Sequence, residues 1–119
     1  MSHQAVVAVF VYGTLKRGQC REQCWPFEPI RIDSGTVQGN LFSRPDYPAL
    51  LPGDNRVTGE RWEFEIDQMG RVLEVLDEIE GTDSNSPGDL YHRRSVVVRS
   101  LGGGELGPAY TYLYNRDPV

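Results

Sequence analysis

Cysteine is nearly absent from this 119-residue chain: Cys20 and Cys24 are the only two, and four residues apart on one short stretch they could staple very little of it. Histidine is as scarce, with only His3 in the N-terminal tail and His92, which form no familiar zinc pattern with the cysteines. Basic residues are in deficit. Twelve Lys+Arg stand against 17 Asp+Glu, giving a net charge of −5 and a pI near 4.9, so nothing draws the chain to a phosphate backbone or an anionic membrane. Long apolar runs are missing too. The strongest, Ala5 to Val11, is far short of the roughly 20 residues of a membrane span, and it carries neither a basic leader nor a cleavage-like motif. The expectation is a cytoplasmic protein with no metal site, no nucleic-acid partner and no membrane partner. No internal repeat, heptad register or linker divides it, so residues 1–119 read as one domain, large enough to bury a core without metal or disulfide.

What the sequence does contain is mostly strand. Val6 to Val11 is an unbroken, β-branched apolar run, the mark of a central strand buried on both sides. Tyr12 to Gly18 leaves it as a glycine-punctuated loop, with a short helix to be considered over Gln19 to Trp25 before Pro26. Ile32 to Phe42 reads as a weak strand with bend points at Gly35 and Gly39, and Ala49 to Leu51 as a short strand closed by Pro52-Gly53-Asp54-Asn55. From Val57 to Ile66 the alternation is clear. Glu60, Trp62, Phe64 and Ile66 share a face expected to be buried, and Arg61, Glu63 and Glu65 share the other. Asp67 looks like an N-cap for the one clear helix, whose apolar positions are Val72, Leu73, Val75, Leu76 and Ile79 and which Gly81 stops. A polar loop from Thr82 to Asp89 follows, then strands over Tyr91 to Arg99 and Pro108 to Asn115 around Gly102-Gly103-Gly104. Strands that mostly follow one another, with one helix, favour an α+β fold: a curled mixed or antiparallel sheet with the helix packed on it.

Glu80 breaks this pattern. It shares a helix face with Leu73 and Leu76, so a carboxylate stands where a leucine is expected. It also lies in the last turn, where the helix dipole disfavours another anion. Burial and dipole both raise its proton affinity, as suits a group that takes a proton and hands it back near neutral pH. The plain alternative is a frayed helix end with Glu80 turned to solvent. Glu60, on the aromatic face of its strand, is a second inward carboxylate, for which Arg93 or a tyrosine hydroxyl would be a structural partner. Tyr110, Tyr112 and Tyr114 alternate onto one face and either line a pocket or pack across strands. Arg71 reaches Glu74 one turn away on the solvated side of the helix. The turn Tyr12-Gly13-Thr14-Leu15 opens from the central strand, where free N–H groups can hold an anion such as a carboxylate; a purely structural turn is the alternative. It is not a Walker loop, because Gln19-Cys20 stands where Lys and Ser/Thr are required, nor does it contain a dinucleotide fingerprint.

Five segments in order, Phe10-Val11-Tyr12-Gly13-Thr14-Leu15-Lys16-Arg17-Gly18, Tyr47-Pro48-Ala49-Leu50, Val57-Thr58-Gly59-Glu60, Leu76-Asp77-Glu78-Ile79-Glu80-Gly81 and Tyr91-His92-Arg93, resemble the γ-glutamylcyclotransferase family, including its AIG2-like and γ-glutamylamine branches. The resemblance spans nearly the whole chain. It implies a small β-barrel with the active cavity at its mouth, Glu80 as the catalytic residue, and Tyr12, Gly13, Thr14 and Leu15 as the substrate-binding loop. Tyr47, Glu60, Tyr91, Arg93 and Tyr114 are further pocket candidates. The reaction implied is cyclisation of a γ-glutamyl compound, a small-molecule substrate, to 5-oxoproline with release of an amine. Because the nucleophile is tethered, this chemistry needs positioning and proton transfer and no cofactor or metal. Two other classes stand beside it: a non-catalytic small-molecule-binding or regulatory module on the same barrel, and an interaction domain using exposed aromatic surface such as Trp25 and Tyr47. The oligomeric state is not legible in the sequence.

Overall fold

The computed structural model describes residues 5–12, 22–43, 48–82, 87–89 and 91–114. Five strands close into a barrel: β1 (Ala8–Val11), β2 (Arg31–Ser43), β3 (Pro48–Glu63), β4 (Tyr91–Ser100) and β5 (Glu105–Tyr114), in the spatial order β1-β3-β2-β4-β5. One helix, α1 (Met69–Glu80), follows β3. The β1–β5 pair is parallel and the others are antiparallel, so the barrel is mixed. No helix among the described residues is long and apolar enough to cross a membrane.

The apolar run of β1 has a direct cause. All four of its residues are buried, and they divide between two layers. Ala8 and Phe10 join Val37, Leu50, Val57, Val98 and Ala109 in a cluster to which every strand contributes, the filling of the barrel lumen. Val9 and Val11 face the opposite way, where Trp62, Tyr112 and Tyr114 pack against Met69, Val72 and Leu76 of the helix. A strand between two apolar layers cannot alternate with polar residues.

The same two-layer arrangement corrects the reading of β3. Trp62 and Phe64 are buried under the helix as expected, but Arg61, assigned to the solvent side, is only 6% exposed. Closure of the barrel turns that second face inward. Arg61 is accommodated there because Nε and Nη2 donate to the Pro108 carbonyl at 3.3 and 3.1 Å and Nη1 pairs with Glu63 at 2.9 Å. Ile66, placed on the buried face by alternation, is 65% exposed because the strand ends at Glu63 and Ile66–Gln68 forms a 3-10 turn.

Other boundaries shift for local reasons. Asp67 lies within that 3-10 turn and does not cap the helix; Glu65 and Gln68 form a capping box around the turn, and Gln68 is the N-cap of α1. Gly81 ends the helix in the left-handed conformation at φ 73°. The two strands expected at 49–51 and 57–66 are one continuous β3, because Pro52 to Asn55 bulges within it instead of ending it. Gln38 pairs with Arg56 while Asn40 pairs with Leu51, and Asn55 Nδ2 bonds Asn40 Oδ1 at 2.8 Å across the bulge. Gly39 falls at this register shift, and Gly35 at the seam. The β2–β4 contact that closes the barrel is two residue pairs long, and a methyl group on Gly35 would lie 2.6 Å from the Arg99 carbonyl. In place of a helix over Gln19 to Trp25, Glu22–Cys24 is a single 3-10 turn, with residues 13–21 outside the described set. Trp25 is not an exposed anchor. It is partly buried and stacked on Trp62, with ring centroids 4.4 Å apart.

Candidate functional site

Three strand ends and the C-terminal turn of α1 meet at one end of the barrel. Because β1 and β5 run parallel, Tyr12 beyond β1 and the Tyr112–Tyr114 end of β5 arrive together. Tyr91 opens β4 directly opposite Tyr114, and their rings meet edge to face at 5.8 Å. The C-terminal turn of α1 lies against this end and carries Asp77 and Glu80. Glu80 is partly buried, and Gly81 N–H and Thr82 N–H close the helix end on the carbonyls of Glu78 and Asp77.

The hydrogen bonds here run across elements. The Tyr12 hydroxyl donates to the Tyr112 carbonyl at 2.6 Å, and the Tyr112 hydroxyl donates to Asp77 Oδ1 at 2.6 Å. Arg93 Nη1 donates to Asp77 Oδ2, also at 2.6 Å, and its guanidinium carbon lies 5.4 Å from the centre of the Tyr110 ring. Burial is the main cause holding the Tyr12 hydroxyl far above the usual tyrosine range; Tyr91 and Glu80 add to it, and the Leu50 backbone amide opposes it. Tyr112 is raised in the same way, by burial first, then by its bond to Asp77 and the Asp77 charge, with Arg93 opposing and Glu80 adding a little. Both phenols therefore stay neutral donors at any working pH, and Glu80 lies within electrostatic reach of both.

The structure brings Tyr12, Tyr91, Arg93, Tyr114 and Glu80 of the sequence candidates to this end. Gly13, Thr14, Leu15 and Tyr47 lie outside the described residues. Glu60, opposite Val11 in the β1–β3 ladder, accepts a bond from Trp62 Nε1 at 3.1 Å, whereas Arg93, weighed as its partner, is bonded to Asp77. Sequence reasoning passed over Asp77 as a site candidate and left Tyr112 undecided between lining a pocket and packing across strands. Asp77 had a visible signal: it sits three residues before Glu80, in the same unfavourable half of the helix dipole. Tyr112 was visible only as one member of an alternating stripe.

Two surface hollows lie elsewhere. One, of about 470 Å³, is formed by Trp25 to Pro29 with Ile32 and Trp62. The other, of about 720 Å³, includes Thr36, Gln38, Arg56 and Arg99, beside the short β2–β4 seam. Neither includes Glu80. Among the described residues no three His, Cys, Asp or Glu side chains converge as a metal site would require.

Residues 9–119 match the family model described as gamma-glutamyl cyclotransferase, AIG2-like. No protein of curated function matches the chain by sequence. Among solved structures, an AIG2-like protein from Mus musculus is 26% identical, with 97% of this chain and 82% of that chain covered and a TM-score of 0.70. An Arabidopsis thaliana protein shares the fold at 20% identity, covering 99% of this chain and 68% of its own, TM-score 0.69. A protein called gamma-glutamyl cyclotransferase does so at 16% identity over 91% of this chain and 66% of its own, TM-score 0.56.

Proposed function

Because the chain belongs to the gamma-glutamyl cyclotransferase, AIG2-like family, we propose that it cyclises a γ-glutamyl compound to 5-oxoproline and releases a free amine, with Glu80 as the proton carrier. The observation that carries this reading is the placement of Glu80: a partly buried carboxylate in the last turn of α1, at the barrel end that Tyr12 reaches and within electrostatic reach of its hydroxyl.

In the reaction proposed, the substrate's α-amine attacks its own γ-carbonyl carbon. A C–N bond forms within the new five-membered ring, and the C–N bond to the leaving amine breaks. The nucleophile is already attached, so the protein has to hold the folded conformer and move protons. Glu80 takes one proton from the α-ammonium and returns it to the departing nitrogen, and the second proton shed as the ring nitrogen becomes an amide N–H goes to the released amine, which leaves as an ammonium. The helix C-terminus presents partial negative charge to Glu80 and favours proton uptake. Backbone N–H groups of Gly13, Thr14 and Leu15 bind the α-carboxylate or the developing oxyanion. Tyr47, Tyr91 and Tyr114 line the substrate cavity, Arg93 braces it through Asp77, and Glu60 buttresses the β1–β3 side. Residues 1–119 act as one domain in the cytoplasm on a small-molecule γ-glutamyl substrate.

The test is a panel of γ-glutamyl amino acids, γ-glutamylamines and glutathione incubated with the protein and assayed for 5-oxoproline. At least one member should turn over, and Glu80→Gln should lower that rate by roughly 10²–10⁴-fold with circular dichroism and melting temperature retained. Undiminished turnover in Glu80→Gln removes the mechanism. Saturable binding without any product would favour the non-catalytic module instead.

A further inference from the structure

The larger surface hollow, of about 720 Å³, lies far from Glu80. Tyr91 opens β4 at the Glu80 end of the barrel, and Arg99, which lines the hollow, comes eight residues later, about 25 Å further along the strand. Thr36 and Gln38 form the middle of the floor, on the outer face of β2, with Val37 between them turned into the lumen. Arg56 on β3 stands across from Gln38, and Arg99 on β4 across from Thr36. Glu105 on β5 is in turn the ladder partner of Arg99, and Asp54 is two residues before Arg56. Because β2 and β4 are paired over two residues only, the sheet is splayed here, and the four charged side chains border a concavity instead of a flat barrel wall.

Each of the other described arginines is engaged: Arg31, Arg61, Arg71 and Arg93 with carboxylates, and Arg94 with a backbone carbonyl. Among the described residues the side chains of Arg56 and Arg99 have no hydrogen-bond or ion-pair partner, and neither do those of Asp54 and Glu105, although each acid stands beside one of the arginines. All four are exposed, so pairing among themselves would gain little. A ligand that brings both charges gains more, because each guanidinium fork can take both oxygens of one carboxylate. The lining is formally balanced, two guanidiniums against two carboxylates, while the chain as a whole carries −5. A simple anion is therefore opposed by Asp54, Glu105 and the surrounding field, and a simple cation by the arginines. We propose that this hollow is a binding site for a small zwitterion, a molecule carrying a carboxylate and an ammonium group as an α-amino acid does. Arg56 and Arg99 hold the carboxylate, Thr36 and Gln38 supply neutral donors between them, and Asp54 and Glu105 form the negative flank that takes the ammonium. Nothing in this binding depends on Glu80 or on turnover.

Titration of the ¹⁵N-labelled full chain with L-alanine, acetate, methylammonium and inorganic phosphate, at matched ionic strength, is the test. L-Alanine should shift the backbone amide resonances of Thr36, Gln38, Val97 and Arg99 saturably and should bind more tightly than acetate or methylammonium. Arg56→Gln and Arg99→Gln should each weaken it about tenfold, the loss expected for one charged hydrogen bond at an exposed site. The acids give the discriminating sign: Asp54→Asn and Glu105→Gln should weaken L-alanine binding while strengthening that of phosphate. Glu80→Gln should bind L-alanine as the parent does. Acetate or phosphate binding as tightly as L-alanine, with both acid variants improving all three, would make this a plain anion site and overturn the proposal. So would shifts confined to Tyr12, Tyr91 and Tyr114, or the lack of a saturable shift with Kd below about 10 mM. A protein that binds L-alanine here but turns over no γ-glutamyl compound would lose the cyclotransferase reading and keep this site.

Discussion

Replacing Tyr112 by phenylalanine removes one hydroxyl from the layer between α1 and the barrel and leaves the ring, which is 4% exposed, in place. The lost bond is short and charge-assisted, 2.6 Å to Asp77 Oδ1, a class that contributes about 1.5–3 kcal/mol. Asp77 keeps Arg93 and is a quarter exposed, so water can take up the vacated site. The lower part of that range, about 1.5–2 kcal/mol at pH 7, is expected, or a melting temperature lower by about 6–8 °C for a chain of this size. A second consequence appears in alkali. Tyr12 and Tyr112 are both raised above the ordinary tyrosine value of 10.0, chiefly by burial. Above pH 10 the unfolded chain releases protons that the folded one retains, so unfolding is favoured as pH rises. Each such group steepens the loss by about 1.4 kcal/mol per pH unit, together about 2.7. The stability contributed by the neutral, buried phenols is fully present below pH 10 and declines above it. Urea unfolding followed by circular dichroism between pH 7 and 11.5 reads both effects: Tyr112→Phe should be less stable at neutral pH and should lose stability about half as steeply in alkali. A variant as stable as the parent at pH 7, with the same alkaline slope, would refute the assigned bond and the burial argument together.

Gly59→Ala tests the β1–β3 approach: its methyl group would sit 2.4 Å from the Val11 carbonyl and 2.6 Å from the Phe10 ring. A loss of about 2–3 kcal/mol in thermal unfolding is expected, with lower turnover because the strand end carrying Tyr12 must move; a neutral outcome would mean that the strands are not so closely apposed. Arg61→Leu removes both bonds to the Pro108 carbonyl and the Glu63 pair. Because Glu63 is partly exposed and can rehydrate, the expected cost is about 2–3 kcal/mol. An unchanged urea midpoint would show that the inward guanidinium contributes no net stability.

Much of the architecture was legible because backbone periodicity is local. The apolar run at Val6 to Val11 marked a strand with two buried sides, and the 3.6-residue spacing from Val72 to Ile79, stopped at Gly81, marked the helix. Glu80 stood out because a carboxylate broke that spacing at the dipole's negative end. The reading failed where one local pattern serves two tertiary outcomes. Alternation in β3 separates Arg61 from Trp62 correctly, but it cannot say that the Arg61 face turns into a lumen, because that depends on β2 meeting β4 across two residue pairs. A Pro-Gly-Asp-Asn run ends most strands, yet here a bulge across from Gly39 absorbs it.

The sequence by itself determined where most of the strands run, where the helix stops, and that one acidic side chain is out of place on its apolar face. Those properties follow from φ/ψ preference and side-chain periodicity over a few residues. Only the tertiary structure decided what surrounds that side chain. Tyr12 and Tyr112 are 100 residues apart, Tyr112 and Asp77 35, and Arg93 and Asp77 16. No short-range pattern encodes such partners. Closure of the barrel selects them, since it brings the ends of β1, β4 and β5 under the last turn of α1, where burial requires each polar group to find a partner.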